Sequence, residues 1–141
     1  MGGTLVGCDS WFNNPKAEVS AHVGIGLGGS IHEYVHEEDT AWANGRLETD
    51  NTWPGTLRTG INSQTLSAET EDLNNPNQEV TPEQLAAATT WVIAMKERHP
   101  TLKWLLGHNV ISPHSRANCP GARWWQHMQT LADAAGLELM V

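Results

Sequence analysis

The stretch GHNVISPHSRANCPG, residues 107–121, places a histidine and a cysteine eleven positions apart, His108 and Cys119. An imidazole nitrogen and a thiolate are both good zinc ligands, and catalytic zinc usually takes three protein ligands and a water molecule. Loop ligands about ten residues apart are less diagnostic than a paired C-x-x-C motif. Two interpretations therefore stay open from the residues alone: a metal-binding pair, or a capped core histidine and an inert thiol.

Short regular elements flank this loop on both sides. The apolar run LKWLLG (102–107) predicts a buried strand that ends at His108. Catalytic groups often follow strand ends, because a rigid element aims them while the loop stays accessible. After Cys119, residues 122–136 predict a helix that stops at Gly136.

The first half of the chain is dominated by strand patterns. Three stretches alternate apolar with small or polar residues and predict strands: 18–27, 30–36 and 64–70. Gly28 and Gly29 predict a hairpin turn between the first two of these strands. Residues 9–15 predict a short helix or turn that is capped by Asp9 or Ser10 and ended by a proline.

A long loop and a helix complete the pattern. Residues 37–63, rich in Gly, Asn, Thr and Asp, predict a surface loop. Thr81 as N-cap, Pro82 at N1 and Gln84 closing a capping box predict a helix that runs to about residue 98. Its expected buried stripe is Leu85, Ala88, Val92 and Met95. This order of elements predicts a single α/β domain, residues 1–141, with a mixed sheet flanked by helices.

Composition excludes several classes of protein. The net charge is −8, with 16 acidic against 8 basic residues, which argues against a nucleic-acid surface. No apolar run reaches the roughly 18 residues of a membrane span. The N-terminus shows no signal-peptide pattern, so we expect neither signal-directed secretion nor membrane insertion. Two cysteines are too few for a disulfide framework, although a single Cys8–Cys119 bridge stays possible and would exclude metal binding by Cys119.

Four segments in order resemble one family. They are EVSAHVGIGLGGSIHEYVHEEDTAWANG (18–45), NSQTLSAETE (62–71), TPEQLAAATTWVIAMKER (81–98), and the Gly-His and CPGARWW motifs within 107–125. Together they resemble zinc-dependent N-acetylmuramoyl-L-alanine amidases, the family that includes phage lysozyme-type amidases and peptidoglycan recognition proteins. The similarity extends over about residues 9–125. It implies the amidase fold, a mixed central sheet flanked by helices.

The resemblance also implies roles for individual residues. His108 and Cys119 become ligands of a Zn²⁺ cofactor, and Glu69 becomes the general base. The alternative for Glu69 is a solvent-facing strand residue. Many relatives carry a lysine where this chain has Ala117. The neighbouring Arg116 is then either a cation that stabilises the developing oxyanion or a solvated loop charge.

The third zinc ligand departs from the family pattern. In the family it is a histidine that ends an N-terminal core strand, and here that strand and its ligand are expected to lie before residue 1, in a misplaced start or a truncated chain. His22 is the nearest candidate within the sequence, with a core histidine as the alternative. His32 and His36 share one strand face by period two and are expected at the surface.

The substrate pocket is also expected to differ. Ala43 replaces a family histidine, and Ala21 stands where phage-type relatives have a tyrosine. Trp42 is either a groove wall or a core residue, and Asn44 is a second candidate for substrate binding.

The implied reaction is zinc-assisted hydrolysis of the amide that joins N-acetylmuramic acid to L-alanine in bacterial peptidoglycan. The expected setting is a monomeric phage or prophage endolysin that stays in the host cytoplasm until it is released onto the cell wall. The alternative function is a peptidoglycan-binding module without activity, because relatives that lose a zinc ligand bind without cutting.

Overall fold

A computed structural model describes residues 3–75 and 77–141. These residues form two compact units, Met1–Gly45 with Gly60–Ala87 and Arg46–Thr59 with Ala88–Val141. The α-helices are α1 (Leu5–Phe12), α2 (Pro82–Arg98) and α3 (Ala122–Ala135). The strands are β1 (Val23–Ile25), β2 (Ile31–Glu33), β3 (Ala68–Thr70), β4 (Trp104–Leu106) and β5 (Glu138–Met140). Of the helices in the described part of the chain, none has the length and apolar character that a membrane crossing requires.

The first unit contains a three-stranded mixed sheet in the order β2-β1-β3. β1 pairs with β2 antiparallel and with β3 parallel. The predicted hairpin is confirmed: Gly26 N–H donates to the Ser30 carbonyl at 2.9 Å, and Gly29 takes a positive φ of 81° in the turn. The strands are shorter than the alternating patterns suggested.

Helix α1 begins earlier than the sequence pattern predicted. Thr4 is the N-cap, and its hydroxyl accepts a hydrogen bond from Gly7 N–H at 3.0 Å. The prediction of Asp9 or Ser10 as the cap is therefore wrong. Both lie inside the helix, where the Ser10 hydroxyl donates to the Val6 carbonyl.

Helix α2 begins where the sequence predicted, but its capping box is only half formed. The Thr81 hydroxyl accepts a hydrogen bond from Gln84 N–H at 3.1 Å. The Gln84 side chain does not return to the cap. It is buried and donates at 3.1 Å to two carbonyls, those of Ile25 and Glu71. The predicted stripe is buried at Ala88, Val92 and Met95, whereas Leu85 is half-buried.

The second unit contains a parallel pair of strands, β4 and β5, and helix α3. Strand β5 follows α3 and was not predicted. Helix α3 ends at Gly136, which takes a left-handed φ of 64° as expected. The unit's most deeply buried side chains are Val110, Ile111, Trp124 and Ala132.

The predicted long loop is only partly a surface loop. Residues 37–60 contain no helix or strand, but Trp53 is 7% exposed and its indole N–H donates to the Leu57 carbonyl at 3.1 Å. A 3₁₀ helix, Ile61–Gln64, follows. The α/β class with a mixed sheet is confirmed, and the assignment of 1–141 to a single domain stays a prediction.

Candidate functional site

Successive turns connect the two predicted zinc ligands of the second unit. His108 opens a 3₁₀ helix, His108–Val110, directly after β4 and Gly107. Ser112 N–H donates to the His108 carbonyl, Arg116 N–H to the Ser112 carbonyl, and Cys119 N–H to the Arg116 carbonyl, each at 2.9 Å. These hydrogen bonds fold the loop compactly between the two ligands.

Gly107 brings the two ends of this loop together. A Cβ atom at Gly107 would lie 2.8 Å from the Cys119 carbonyl oxygen and 2.6 Å from Pro120 Cδ. The residue before His108 therefore lies directly against the Cys119–Pro120 peptide, which is cis. Only glycine allows this approach without displacing its neighbours.

The residues at this junction fit a zinc ion. Imidazole nitrogen and thiolate sulfur are typical zinc donors, and Cys119 is a partly buried thiol. The same added Cβ at Gly107 would lie 2.5 Å from Asn109 Oδ1, a buried oxygen that has no hydrogen-bond partner among the described residues. A buried acceptor without a partner carries a cost, and a water molecule bound to a metal ion could supply the missing donor. The donor chemistry, the glycine cradle and the orphan oxygen together fit a metal centre on this loop.

Glu48 holds the exposed tip of the same loop. Its carboxylate accepts hydrogen bonds from His114 N–H at 2.8 Å, from Ser115 N–H at 3.1 Å and from the Ser115 hydroxyl. The Ser115 hydroxyl and then the His114 amide hold the pKa of Glu48 below its usual value. Sequence reasoning missed Glu48, because a lone acid in a polar loop gives no signal of a partner 66 residues away.

Arg116 lies on this loop with His108 and Cys119. Its side chain is exposed, and Nη1 donates to the carbonyl of the adjacent Ser115 at 3.2 Å. The second unit therefore carries three of the predicted site residues on one loop.

In the first unit, Glu69 occupies the middle position of β3. It pairs with Gly24 of β1, which pairs in turn with His32 of β2. Directly paired residues point to the same face of a sheet, so Glu69 and His32 flank Gly24 on one face. A Cβ at Gly24 would lie 2.7 Å from Tyr34 Oη and 2.8 Å from Leu5 Cδ1, so these two side chains fill the space over the glycine.

A cluster of polar side chains surrounds this face. Asp9 Oδ1 accepts a hydrogen bond from Tyr34 Oη at 2.7 Å and lies 2.8 Å from His32 Nδ1. These bonds, with His32 first, lower the pKa of Asp9. Burial, and next the negative charge of Glu69, raise the pKa of Cys8 to about 11. Glu69 therefore lies near a buried neutral thiol, and His32, expected at the surface, is partly exposed but bonded to Asp9.

His22 is a core residue of the same unit, with 2% exposure. Its Nδ1 accepts a hydrogen bond from Ser67 N–H at 3.0 Å. Nε2 therefore carries the proton and donates to the Asp39 carbonyl at 3.2 Å. A metal ion would have to replace one of these bonds, so the geometry favours the core alternative for His22.

Trp42 and Asn44 differ in what they offer to a ligand. Trp42 is 58% exposed, which rules out the core alternative, and its backbone N–H donates to Ser20 Oγ at 2.9 Å. Asn44 is tied internally: its backbone N–H donates to Asn62 Oδ1 at 2.8 Å, and Nδ2 donates to Thr65 Oγ1 at 2.7 Å.

Comparisons with known proteins point to one family. Residues 2–122 match the family model described as N-acetylmuramoyl-L-alanine amidase. A selenomethionine AmpD derivative has a similar crystal structure, with a TM-score of 0.62 and 26% identity over 80% of this chain and 59% of that chain. The E. coli amidase AmiD, in complex with the substrate anhydro-N-acetylmuramic acid-L-Ala-D-γ-Glu-L-Lys, gives a TM-score of 0.66 and 20% identity over 92% of this chain and 51% of that chain. No curated protein sequence gives a match. The chain thus spans between half and two thirds of the length of these two structures.

Proposed function

Because the chain belongs to the N-acetylmuramoyl-L-alanine amidase family, we propose that it hydrolyses the amide bond between N-acetylmuramic acid and L-alanine in peptidoglycan. The observation that carries the proposal is the close approach of Gly107 to the Cys119–Pro120 peptide, which joins the two ends of the His108–Cys119 loop. The muropeptide in the AmiD complex supports the same class of substrate.

His108 and Cys119 are the residues that would hold zinc, on which this family generally depends. Bound zinc supplies a Lewis acid for the amide carbonyl and lowers the pKa of a water molecule to about 7. Cys119 would bind as a thiolate, and His108 through a neutral imidazole nitrogen. His22 is assigned to the core in this proposal because both of its ring nitrogens already make hydrogen bonds.

Glu69 and Arg116 are proposed to act on the proton and on the developing charge. Glu69 would accept a proton from the attacking water and return it to the nitrogen of the leaving L-alanine as the C–N bond breaks. Arg116 would stabilise negative charge on the carbonyl oxygen as a fixed cation. Trp42 offers an exposed aromatic face for the substrate. The role of Glu69 is supported by the family resemblance, and the role of Arg116 by its position next to Ala117, where many relatives carry a lysine.

Product analysis on purified peptidoglycan tests this proposal. Amidase cleavage exposes new L-alanine amino groups, so N-terminal labelling should find new alanine ends in step with the fall in turbidity. New reducing sugar ends, or amino ends other than alanine, would show a different bond specificity. Binding to the cell wall without new ends would instead support the binding-module alternative.

We also propose the lytic, endolysin-type setting expected from the sequence, with a monomeric enzyme. Expression inside a bacterial cell tests it: lysis is expected only when a membrane-permeabilising protein is produced together with the enzyme. Lysis that does not depend on that second protein would contradict the proposed cytoplasmic retention.

A further inference from the structure

A segment of the long loop runs beside the predicted zinc loop within the second unit. Glu48 N–H donates to the Ile111 carbonyl, and Thr52 N–H donates to the Val110 carbonyl, each at 3.1 Å. Val110 and Ile111 are fully buried, so these bonds attach residues 48–52 to a fixed part of the unit. The Glu48 backbone thereby has a defined position next to the start of the exposed turns.

The Glu48 side chain extends this attachment to the loop tip. Two consecutive backbone amides, of His114 and Ser115, donate to Oε2, and the Ser115 hydroxyl donates to Oε1. Consecutive amides that converge on one anion form a nest, and hydrogen bonds to a charged acceptor are roughly twice as strong as neutral ones. The backbone amides at the loop tip therefore form an anion-binding site, and the Glu48 carboxylate occupies it.

The tip needs such an attachment because residues 114–118 are all exposed. Fixing the backbone of an exposed residue costs conformational entropy, and burial of the residue does not offset that cost. The turn bonds of the loop use the amides of Ser112, Arg116 and Cys119, whereas Glu48 binds the amides of His114 and Ser115. The carboxylate and the turns thus fix different parts of the same loop.

Glu48 is itself held by its neighbours. Asn51 Nδ2 donates to the Glu48 carbonyl at 2.5 Å, and Arg58 Nη2 donates to Asn51 Oδ1 at 2.7 Å. Arg58 Nη1 also donates to the carbonyl of the buried Trp53 at 3.2 Å. The backbone that carries the Glu48 side chain is therefore fixed by hydrogen bonds from Asn51, which Arg58 holds in turn.

We propose that Glu48 is a positioning residue that sets the separation of His108 and Cys119 by holding the loop tip between them. The inference rests on the proposed function, in which these two residues bind zinc. In this role Glu48 acts through the backbone amides of His114 and Ser115 and the Ser115 hydroxyl.

Zinc affinity, measured by competition with a chromophoric chelator, tests the proposal without reference to hydrolysis. Glu48→Gln keeps the shape of the side chain but removes the charge and sets an amide NH₂ against donor groups. We expect it to weaken zinc binding by about tenfold, the lower end of the range seen when a group that orients metal ligands is lost. Asp50→Asn is the matched control. It removes the same charge two residues away. The Asp50 side chain is 80% exposed, and its contact with the loop tip is a long one, 3.7 Å from Oδ2 to His114 Nε2. Its zinc affinity should stay within about twofold of the parent.

A spectroscopic signature separates positioning from general stability. In the cobalt-substituted protein, the thiolate-to-cobalt absorption reports the geometry at Cys119. It should shift in Glu48→Gln and return towards the parent spectrum in Glu48→Asp, which restores the anion. Ser115→Ala removes one hydrogen-bond donor to Glu48 at the exposed tip and should lower zinc affinity by a smaller factor. It replaces Glu48→Gln in the test if that variant does not fold.

The outcomes distinguish two failures. If the parent binds zinc and a folded Glu48→Gln binds it within twofold, or if Asp50→Asn loses as much affinity as Glu48→Gln, the positioning role is wrong and the proposed function stands. With Ser115→Ala as the substitute, unchanged affinity overturns the role in the same way. If the parent does not bind zinc, the proposed function fails and the positioning role fails with it.

Discussion

Two regions of the molecule hold the predicted catalytic groups by different means. Glu69 lies in the middle of β3, and the hydrogen-bond register with β1 fixes its position directly. His108 and Cys119 lie at the ends of an irregular loop, whose conformation depends on turns and on the Glu48 carboxylate. The proposed general base is therefore positioned by regular backbone pairing, whereas the proposed metal ligands depend on local turns and on one side chain, Glu48, from another segment of the chain.

The two regions should therefore respond differently to substitution. The sheet face of the first unit is closed by Tyr34 and Leu5 over Gly24, so a change there disturbs packing. The tip of the loop between His108 and Cys119, here called the metal loop, is exposed, so a change there should alter the geometry of the proposed ligands at a smaller cost in stability.

Replacing Cys119 by serine should abolish the metal site. A neutral hydroxyl is a much poorer zinc ligand than a thiolate, so we expect zinc affinity to fall by more than about 100-fold and wall hydrolysis to fall to background. Chelator competition and alanine-end labelling measure the two effects. Cys8→Ser, a change of the same chemistry in the first unit, should bind zinc like the parent. Parent-like zinc affinity in Cys119→Ser would show that Cys119 is not a ligand.

Replacing Glu69 by glutamine should remove hydrolysis but keep the metal. A general base contributes about 10²- to 10⁴-fold to the rate, and the isosteric amide preserves the strand. The turnover rate on purified cell walls should fall by that factor, with zinc affinity unchanged. Glu33→Gln on β2 is the control: Glu33 is exposed and adjacent to His32, so it points to the other face of the sheet. Activity within a few-fold of the parent in Glu69→Gln would exclude Glu69 as the base.

Two glycine substitutions compare the regions directly. Gly24→Ala places a Cβ within 2.9 Å of Tyr34 and Leu5 atoms, and overpacking of this kind costs about 1–3 kcal/mol of unfolding free energy. Gly107→Ala drives a Cβ against the Cys119 carbonyl and Pro120. We expect it to lower zinc affinity by about tenfold or more, because it separates the two ends of the metal loop.

Denaturant unfolding and chelator competition should be measured on both variants. Gly28→Ala is the matched control, because a Cβ there meets no atom within 4 Å and the residue has no positive φ. The distinction between the regions fails if Gly24→Ala lowers zinc affinity as much as Gly107→Ala, or if neither variant differs from the control.

Local signals in the sequence predicted a large part of the fold. The hairpin follows from Gly28 and Gly29 between alternating strands, the start of α2 follows from Thr81, and the end of α3 follows from Gly136. Each signal acts within a few residues of the feature that it determines. Such features can be predicted because propensity and capping are local.

Features that depend on distant partners could not be predicted in this way. Gln84 fits a capping box by spacing, yet its side chain satisfies two carbonyls elsewhere in the first unit. Strand β5 forms by pairing with β4. The Glu48 carboxylate is bound by the amides of His114 and Ser115, 66 and 67 residues further along the chain. The resemblance identified His108 and Cys119 as a pair, but the glycine contact that joins their loop ends appears only in three dimensions.

The two cysteines, one in each region, should differ in their rate of alkylation. Cys8 is 5% exposed, and its pKa is raised from 9.0 to about 11, chiefly by burial. At pH 8 only about one molecule in a thousand therefore carries the Cys8 thiolate, the form that reacts with alkylating agents. Iodoacetamide at pH 8 should modify Cys119 first, and zinc should protect Cys119 without changing the slow reaction of Cys8. Peptide mass spectrometry after timed quenching measures both sites.

The stability of the folded protein should fall in alkaline solution because of Cys8. A raised pKa means that the folded state favours the neutral Cys8 thiol, so its contribution to stability is complete below pH 9 and is lost as the pH rises towards 11. Alkylation of Cys8 should accelerate by about tenfold per pH unit over that range, as the thiolate fraction grows. Cys8→Ser should remove this alkaline loss of stability. Rapid modification of Cys8 at pH 8 in the folded protein would show that the first unit opens readily and does not shield Cys8 as its 5% exposure predicts.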